Sequence, residues 1–228
     1  MYDRTHVWLN FALVVLAMLA PMGVVTARLE TAATAAPEAP TYPFEALVEA
    51  GLKVDTRIDE GELGRIVRAG LVHTSRTHLV VNAVALLLTS LFWWRINVNL
   101  RQLRQSCVLP AIAIISSSAG FLGSYLIRAG PSGGASAGIY GILAAVAGAT
   151  WALRGDLVKS VRLAAPIALT VLSLAAVLLV LGKPGMDHAA HLGGWAAGLG
   201  AGIAAQRAKG RVVLGVLASS LIVIGILL

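Results

Sequence analysis

Four residues of this sequence have the side chains that acyl transfer requires. A serine hydroxyl is a weak nucleophile and needs an adjacent base, which is usually an imidazole. Ser136 and His191 supply such a pair. Acyl transfer also needs hydrogen-bond donors for the oxyanion, and His78 and Asn82, which are four residues apart, share one face of a helix. These residues predict nucleophilic serine chemistry if the fold brings them together.

The polar segments around these residues lie in a strongly apolar chain. Hydrophobic residues make up 57% of the sequence and charged residues 13%, whereas soluble domains carry about 25% charged residues. Mean hydropathy is +0.81. Residues 163–182 contain no charge at all, and about 20 such residues match the ~30 Å hydrocarbon core of a bilayer. The sequence excludes a soluble protein and predicts a polytopic membrane protein.

Seven apolar stretches of spanning length follow one another along the chain, at 7–26, 70–93, 107–127, 135–153, 163–182, 188–206 and 212–228. Three breaks between them each hold three lysines or arginines, and alternation places all three on one side: Arg95–Arg104, Arg154–Arg162 and Arg207–Arg211. The positive-inside rule makes that side cytoplasmic. The N-terminus is then inside, whereas loop 27–69 and the C-terminus are outside.

This topology gathers the polar segments in one half of the membrane. The second, fourth and sixth spans all begin at the outer face, and they carry the segments His73–Asn82, Gly133–Gly141 and Asp187–Gly194. We expect a protein of the bacterial cytoplasmic (inner) membrane whose site opens outward. The net charge of +7 and pI of 10.2 then reflect topology, and no nucleic-acid partner is expected.

Small residues explain how the fourth and sixth spans can approach each other. Stripes of glycine and alanine let membrane helices pack closely, although such stripes are often only packing. The sixth span carries Ala190, Gly194, Gly198 and Gly202, and the fourth carries Ala137, Gly141, Ala144, Ala147 and Gly148. Close contact of the two faces predicts that Ser136 and His191 come within hydrogen-bonding distance.

The outer loop divides into a linker and a short helix. Residues 32–43 are rich in alanine and proline, and proline blocks regular structure. After them, apolar and charged residues occupy different sides of a helical wheel: Phe44, Leu47, Val48, Gly51 and Leu52 against Glu45, Glu49 and Lys53. This pattern predicts an amphipathic helix on the outer membrane face, and a solvated loop helix is the alternative. The first span also admits a secretory signal cleaved near residues 33–35.

Several polar residues have more than one interpretation. A serine in a membrane helix often bonds its own backbone, so Ser136 has a structural alternative. His73, His78, His188 and His191 have spacings that a metal site can use, but no His-Glu-x-x-His motif is present. Asp187 either caps the sixth helix or orients His191. Tyr140 either lies beside the His191 imidazole or has only a packing role in the helix bundle. The single cysteine, Cys107, excludes an intramolecular disulfide.

The three polar segments together resemble the rhomboid family of intramembrane serine proteases. His73-x4-His78-x3-Asn82 resembles the second-helix signature of that family, and Gly134-Ala135-Ser136 resembles its Gly-x-Ser nucleophile motif. Ala190-His191-x2-Gly194-x3-Gly198 resembles its sixth-helix motif, which carries the general base. The resemblance covers residues 1–206, and a seventh span occurs in some members.

The resemblance implies a Ser136–His191 dyad without a required acid and an oxyanion site that includes His78 and Asn82. It also implies transmembrane proteins as substrates. His73, Gly134, Tyr140 and Gly194 are the expected supporting residues. Two departures stand out. Ala137 replaces the glycine that commonly follows the serine, and Gly61-Glu62-Leu63-Gly64-Arg65 lacks the tryptophan that commonly precedes the loop arginine.

We therefore expect an all-α bundle with a six-helix core over residues 1–206 and an additional transmembrane helix over 207–228. The expected function is proteolysis of transmembrane proteins, with membrane lipids as the other partners and no cofactor or metal. An inactive rhomboid-like binding protein is the first alternative. A small transporter is the second, although the inverted repeats and broken helices typical of transporters are not evident. The oligomeric state stays open.

Overall fold

The computed structural model describes residues 4–32, 41–99, 108–154, 162–179, 183 and 185–227. Seven of the described helices overlap the predicted spans: α1 (Arg4–Ala32), α5 (Arg76–Asn99), α6 (Leu109–Leu126), α7 (Ser136–Ala152), α8 (Ala164–Leu178), α9 (His188–Ala205) and α10 (Ala208–Leu227). Three short helices lie between α1 and α5, namely α2 (Phe44–Glu49), α3 (Asp55–Asp59) and α4 (Arg65–Arg68), followed by a 3₁₀ turn at Ala69–Leu71. The expected all-α fold is confirmed.

Apolar side chains cover the outside of the bundle as well as its interior. Leu88 of α5 is 60% exposed and Leu172 of α8 is 65% exposed. By length and hydropathy, three helices among the described residues can cross a membrane, at Arg76–Trp93, Leu109–Leu126 and Lys209–Leu227, while α7 and α8 are shorter apolar helices. An apolar outer surface on apolar helices is the arrangement of a multi-pass membrane protein.

Helix α7 lies at the centre of the bundle and contacts α5, α6, α8 and α9. Four helices can pack against α7 because many of its side chains are small. Ala144, Ala145, Ala147 and Ala149 are all fully buried. Helix α10 packs against α6, α9 and α4. The helix that begins with Ser136 is therefore held on several sides at once.

The second span begins later than the predicted residue 70. Residues 69–71 form the 3₁₀ turn, and α5 starts only at Arg76. The Ser75 hydroxyl accepts a hydrogen bond from the His78 N–H at 3.1 Å, so it caps the first turn of α5 as serine commonly does. His73 therefore precedes the helix, whereas His78 and Asn82 lie on it.

The first helix extends past the predicted residue 26 to Ala32. Its last turn contacts the start of α5, because Glu30 accepts a hydrogen bond from Arg76 at 2.7 Å. Residues 33–40, which hold most of the predicted linker and the candidate cleavage site, lie outside the described residues.

The predicted amphipathic helix is wrong in its extent and in the place of its lysine. Helix α2 spans only Phe44–Glu49, and Gly51 follows with a φ of +106°, a conformation that ends a helix. Leu47 and Leu52 are buried in a cluster with Leu29 and Val72, so this segment packs on the protein. Lys53, expected on the polar side, is fully buried.

Candidate active site

Ser136 and His191 come together at one end of the bundle. Ser136 is the first residue of α7 and His191 lies in the first turn of α9. The Ser136 Oγ lies 2.8 Å from the His191 Nε2, which is an ordinary hydrogen-bond distance. The serine is half-buried and the histidine buried. A hydroxyl bonded to an imidazole in this way is the arrangement of an activated nucleophile.

The small residues of α7 and α9 create this closeness. A Cβ added at Gly194 would lie 2.3 Å from the carbonyl oxygen of Ala137, and one added at Gly198 would lie 2.0 Å from that of Gly141. Gly202 repeats the contact at Ala145, 2.1 Å from its carbonyl oxygen. Side chains larger than hydrogen do not fit at such distances, so the backbones are in direct contact. Ala190, by contrast, presents its carbonyl to Gly120 of α6.

Asp187 caps α9 and does not bond to the imidazole. Its Oδ1 accepts the Ala190 N–H at 2.9 Å, and its Oδ2 accepts hydrogen bonds from Ser124 and Ser132. The His191 Nδ1 has no hydrogen-bond partner among the described residues. Of the two interpretations of Asp187, the structure shows the cap.

Tyr140 lies one helical turn after Ser136 and packs on the imidazole. The two ring centroids are 4.9 Å apart and the planes are tilted by 56°. This distance lies within the usual range for aromatic pairs. Tyr140 therefore limits the rotation of the His191 ring on the side of α7.

His78 and Asn82 reach from α5 to the backbone just before Ser136. A Cβ on Gly134 would lie 2.9 Å from the His78 Nε2 and 3.3 Å from the Asn82 Nδ2. Gly134 has a φ of +122°, so glycine is required there both for its conformation and for space. The Asn82 Nδ2 is buried without a hydrogen-bond partner among the described residues. It is an available donor beside the nucleophile.

His78 has a hydroxyl neighbour that can either donate to its ring or accept from it. The Thr74 Oγ1 lies 3.2 Å from the His78 Nδ1. When the threonine hydroxyl donates to Nδ1, the proton of the neutral ring resides on Nε2. The Nε2–H then becomes a second donor near Gly134.

His73 supports the nucleophile through the backbone. Its Nδ1 lies 3.1 Å from the Leu71 carbonyl oxygen, which can only accept, so Nδ1 carries the proton. The Nε2 then accepts the N–H of Ala135 at 3.4 Å. Burial, with a further contribution from neighbouring His78, lowers the pKa of His73 to about 4. The neutral ring thus fixes the residue directly before Ser136.

The two departures from the family pattern have a structural account. The Ala137 methyl group is buried and faces Gly120 of α6, so it packs between helices. In the outer loop, Arg65 is buried and ion-pairs with Glu62 at 2.6 Å. Arg65 also donates to the Leu52 carbonyl oxygen at 3.0 Å and to that of Val48 at 2.5 Å. The arginine anchors the loop through the backbone, without a tryptophan beside it.

The sequence analysis missed a group of polar residues around Lys53. Its ammonium group contacts Ser124 on α6 and Asp55 in the outer loop. A signal in the sequence was Ser124, one of several polar residues within an apolar span. The metal alternative gains no support, because no three His, Cys, Asp or Glu residues group together in the described parts of the chain.

Comparison with known proteins agrees with this geometry. The family model described as Rhomboid domain matches residues 60–208, which is more than half of the chain and includes helices α5, α7 and α9, which carry the candidate site. A search of curated proteins returned no match. The chain therefore belongs to the rhomboid family.

Proposed function

We propose that this protein is an intramembrane serine endopeptidase that cleaves transmembrane proteins with Ser136 and His191. The observation that carries the proposal is the 2.8 Å contact between the Ser136 Oγ and the His191 Nε2. Membership of the rhomboid family alone does not show that the chain is a protease, because the family contains both proteases and inactive homologues. Both residues of the pair are present here and lie in contact.

The proposed reaction uses only side chains and backbone groups of this chain. The Ser136 Oγ attacks the carbonyl carbon of the scissile peptide bond while its proton passes to the His191 Nε2. The tetrahedral oxyanion receives hydrogen bonds from the Asn82 Nδ2–H, from the His78 Nε2–H and from the Ser136 N–H. This last donor is available because the first N–H groups of a helix have no partner within it.

The intermediate then collapses and His191 returns the proton to the leaving amine, which departs. The Ser136 ester remains. A water molecule attacks the ester as His191 accepts its proton, and the second oxyanion occupies the same site. Collapse releases a carboxylic acid as the His191 proton returns to the Ser136 Oγ, and the acid then loses its proton to solvent water. His191 alternates between base and acid, as in other serine hydrolases.

We also propose that the site faces the outer side of a bacterial cytoplasmic membrane, with the N-terminus inside. The support is the three clusters of lysine and arginine at 95–104, 154–162 and 207–211, which the positive-inside rule assigns to the cytoplasm. Single-span membrane proteins are the proposed substrates, because the dyad lies at the ends of membrane helices.

The decisive experiment is cleavage of single-span test substrates in proteoliposomes, with products identified by mass spectrometry. Wild type should yield two fragments, and Ser136→Ala and His191→Ala should yield none while melting like wild type. Binding of substrates without fragments would favour the inactive rhomboid-like protein. Undiminished cleavage by Ser136→Ala would contradict the proposed mechanism.

A further inference from the structure

Lys53 is a fully buried cation near the dyad. A buried ammonium group is very costly unless it is paired and hydrogen-bonded. The Nζ of Lys53 donates to the Ser124 Oγ and to the Gly130 carbonyl oxygen, both at 2.7 Å, and it forms an ion pair with the Asp55 Oδ1 at 2.9 Å. Two hydrogen bonds and one ion pair therefore hold the Lys53 ammonium group in place.

The bonds continue from Lys53 to the helix that carries His191. Ser124 accepts from Lys53 and donates its own hydroxyl to the Asp187 Oδ2. Asp187 in turn binds the Ala190 N–H with its other oxygen at 2.9 Å, and its carbonyl accepts the His191 N–H at 3.1 Å. One continuous path of hydrogen bonds thus connects the outer loop with the first turn of α9.

A second set of contacts connects Lys53 with the segment before the nucleophile. Its backbone N–H and carbonyl each bond to Ser132 at 3.0 Å, which forms an isolated antiparallel bridge. The Ser132 hydroxyl also donates to the Asp187 Oδ2 at 2.5 Å. Ser132 lies four residues before Ser136. Lys53 therefore contacts the segment that leads into Ser136 directly, and it is connected to the start of α9 through Ser124.

We propose that Lys53 is a positioning residue for the dyad: through Ser124, Ser132 and Asp187 it holds the start of α9 and the segment before α7 in the alignment that places Ser136 against His191. The proposal rests on the proposed function, because a positioning role for Lys53 requires that Ser136 and His191 are catalytic. Small displacements matter here, since about 1 Å of misplacement can cost on the order of 10²-fold in rate.

A surface ion pair offers a matched control. Asp59 of the outer loop pairs with Arg128, just after α6, at 2.6 Å, and Tyr125 donates to Asp59 at 2.7 Å. These hydrogen bonds, led by that from Arg128, lower the pKa of Asp59. The pair joins the outer loop to the same end of α6 as Lys53 does, but among the described residues its contacts do not extend to α9. Its loss should weaken loop attachment without disturbing the dyad.

The test compares Lys53→Met and Ser124→Ala with the Asp59→Asn control. Methionine keeps most of the lysine stem and removes the ammonium group, and alanine removes a single oxygen. The first readout is the rate at which a fluorophosphonate labels Ser136, expressed per folded protein. The second is hydrogen exchange in residues 186–192. The third is kcat and KM for a transmembrane substrate, with the thermal midpoint measured beside them.

We expect Lys53→Met and Ser124→Ala to slow labelling by about 10- to 100-fold and to speed exchange in residues 186–192. We also expect kcat to fall while KM stays within about twofold, because the change affects alignment. Lys53→Met combined with Ser124→Ala should be little slower than the slower single variant, since both break one path. Asp59→Asn should label within about twofold of wild type.

A purely structural role predicts a different pattern, in which the thermal midpoint falls but labelling per folded protein does not change. That result would overturn the proposal. If Lys53→Met does not fold, the labelling rate of Ser124→Ala alone tests the proposal. Failure of the proposed function is recognised separately, because wild type itself would then not label. If wild type does not label, the absence of labelling overturns the catalytic use of the alignment. The link between Lys53 and α9 is then tested by hydrogen exchange alone, and unchanged exchange in residues 186–192 of the variants would overturn it.

Discussion

Single polar atoms decide whether this site can perform acyl transfer. The Ser136 hydroxyl has a base at 2.8 Å, and the Asn82 Nδ2 is buried beside it without a partner among the described residues. Burying an unpaired donor costs free energy. An unpaired donor near Ser136 supports the proposed oxyanion site, where it would bond to a charge that forms only during the reaction.

Asn82→Ala tests this interpretation. Removing one oxyanion donor typically lowers the rate by about 10²–10³-fold, so cleavage should be slow but measurable. The thermal midpoint should stay near that of wild type, because the Nδ2 group has no hydrogen bond to lose among the described residues. Steady-state cleavage and melting in detergent give both quantities. Full activity with unchanged stability would make Asn82 a packing residue only.

The pH dependence of stability tests the role of His73. Because burial lowers the folded-state pKa of His73 to about 4, below its ordinary value of about 6.5, protons bind the unfolded chain more tightly. The contribution of the neutral ring is complete above about pH 6.5 and is lost as pH falls toward 4. The wild-type thermal midpoint should therefore fall between pH 7 and pH 5, and His73→Gln should fall less steeply. Equal slopes for the two proteins would contradict the assignment of a buried neutral ring.

At the scale of elements, the glycine face of α9 sets the distance between the dyad residues. Gly194, Gly198 and Gly202 each lie within van der Waals contact of an α7 carbonyl, whereas Gly200 on the same helix has open space around it. Gly200 therefore lies on a different side of α9 from the three glycines that contact α7. They form a matched pair for mutation.

Gly194→Ala should lower both activity and stability, and Gly200→Ala should lower neither. The new methyl group at Gly194 would lie 2.3 Å from a backbone oxygen, so the helices must separate. Overpacking of this kind costs about 1–3 kcal/mol, and the resulting misalignment can cost on the order of 10²-fold in rate. Melting curves and cleavage rates of the two variants provide the comparison. Wild-type behaviour of Gly194→Ala would refute direct contact of α7 and α9.

Local sequence patterns predict the glycine contact face of α9, but they do not predict the start of α5 or the burial of Lys53. The glycine spacing on α9 predicted a contact face because every fourth residue of a helix faces the same way. The predicted start of α5 is too early, because the apolar residues 70–72 lie in and just after the 3₁₀ turn, and the helix begins only after the Ser75 cap. Lys53 could not be predicted as buried, since its partner Ser124 is 71 residues away and only the tertiary fold brings them together.

At the scale of the whole molecule, the dyad, the outer loop and the start of α9 lie at one end of the bundle. Along the sequence, the three lysine and arginine clusters lie around the C-terminal ends of α5, α7 and α9. The proposed orientation makes the end with the dyad extracytoplasmic and the three clusters cytoplasmic. This separation has a direct test in intact cells.

Cysteine accessibility tests the orientation in a Cys107→Ser background. Glu60 in the outer loop and Arg154 after α7 are both exposed polar residues. A membrane-impermeant maleimide added to cells should label Glu60→Cys at once, and should label Arg154→Cys only after lysis. The reverse pattern would invert the topology and place the dyad on the cytoplasmic side.

The central claim is that His191 activates Ser136, and covalent labelling tests it most directly. Purified protein is treated with a fluorophosphonate, and the modified residue is located by mass spectrometry. Wild type should carry one adduct on Ser136, while Ser136→Ala and His191→Ala should remain unmodified although they melt like wild type. An unlabelled wild type, or equal labelling of Ser136 in His191→Ala, would contradict the account.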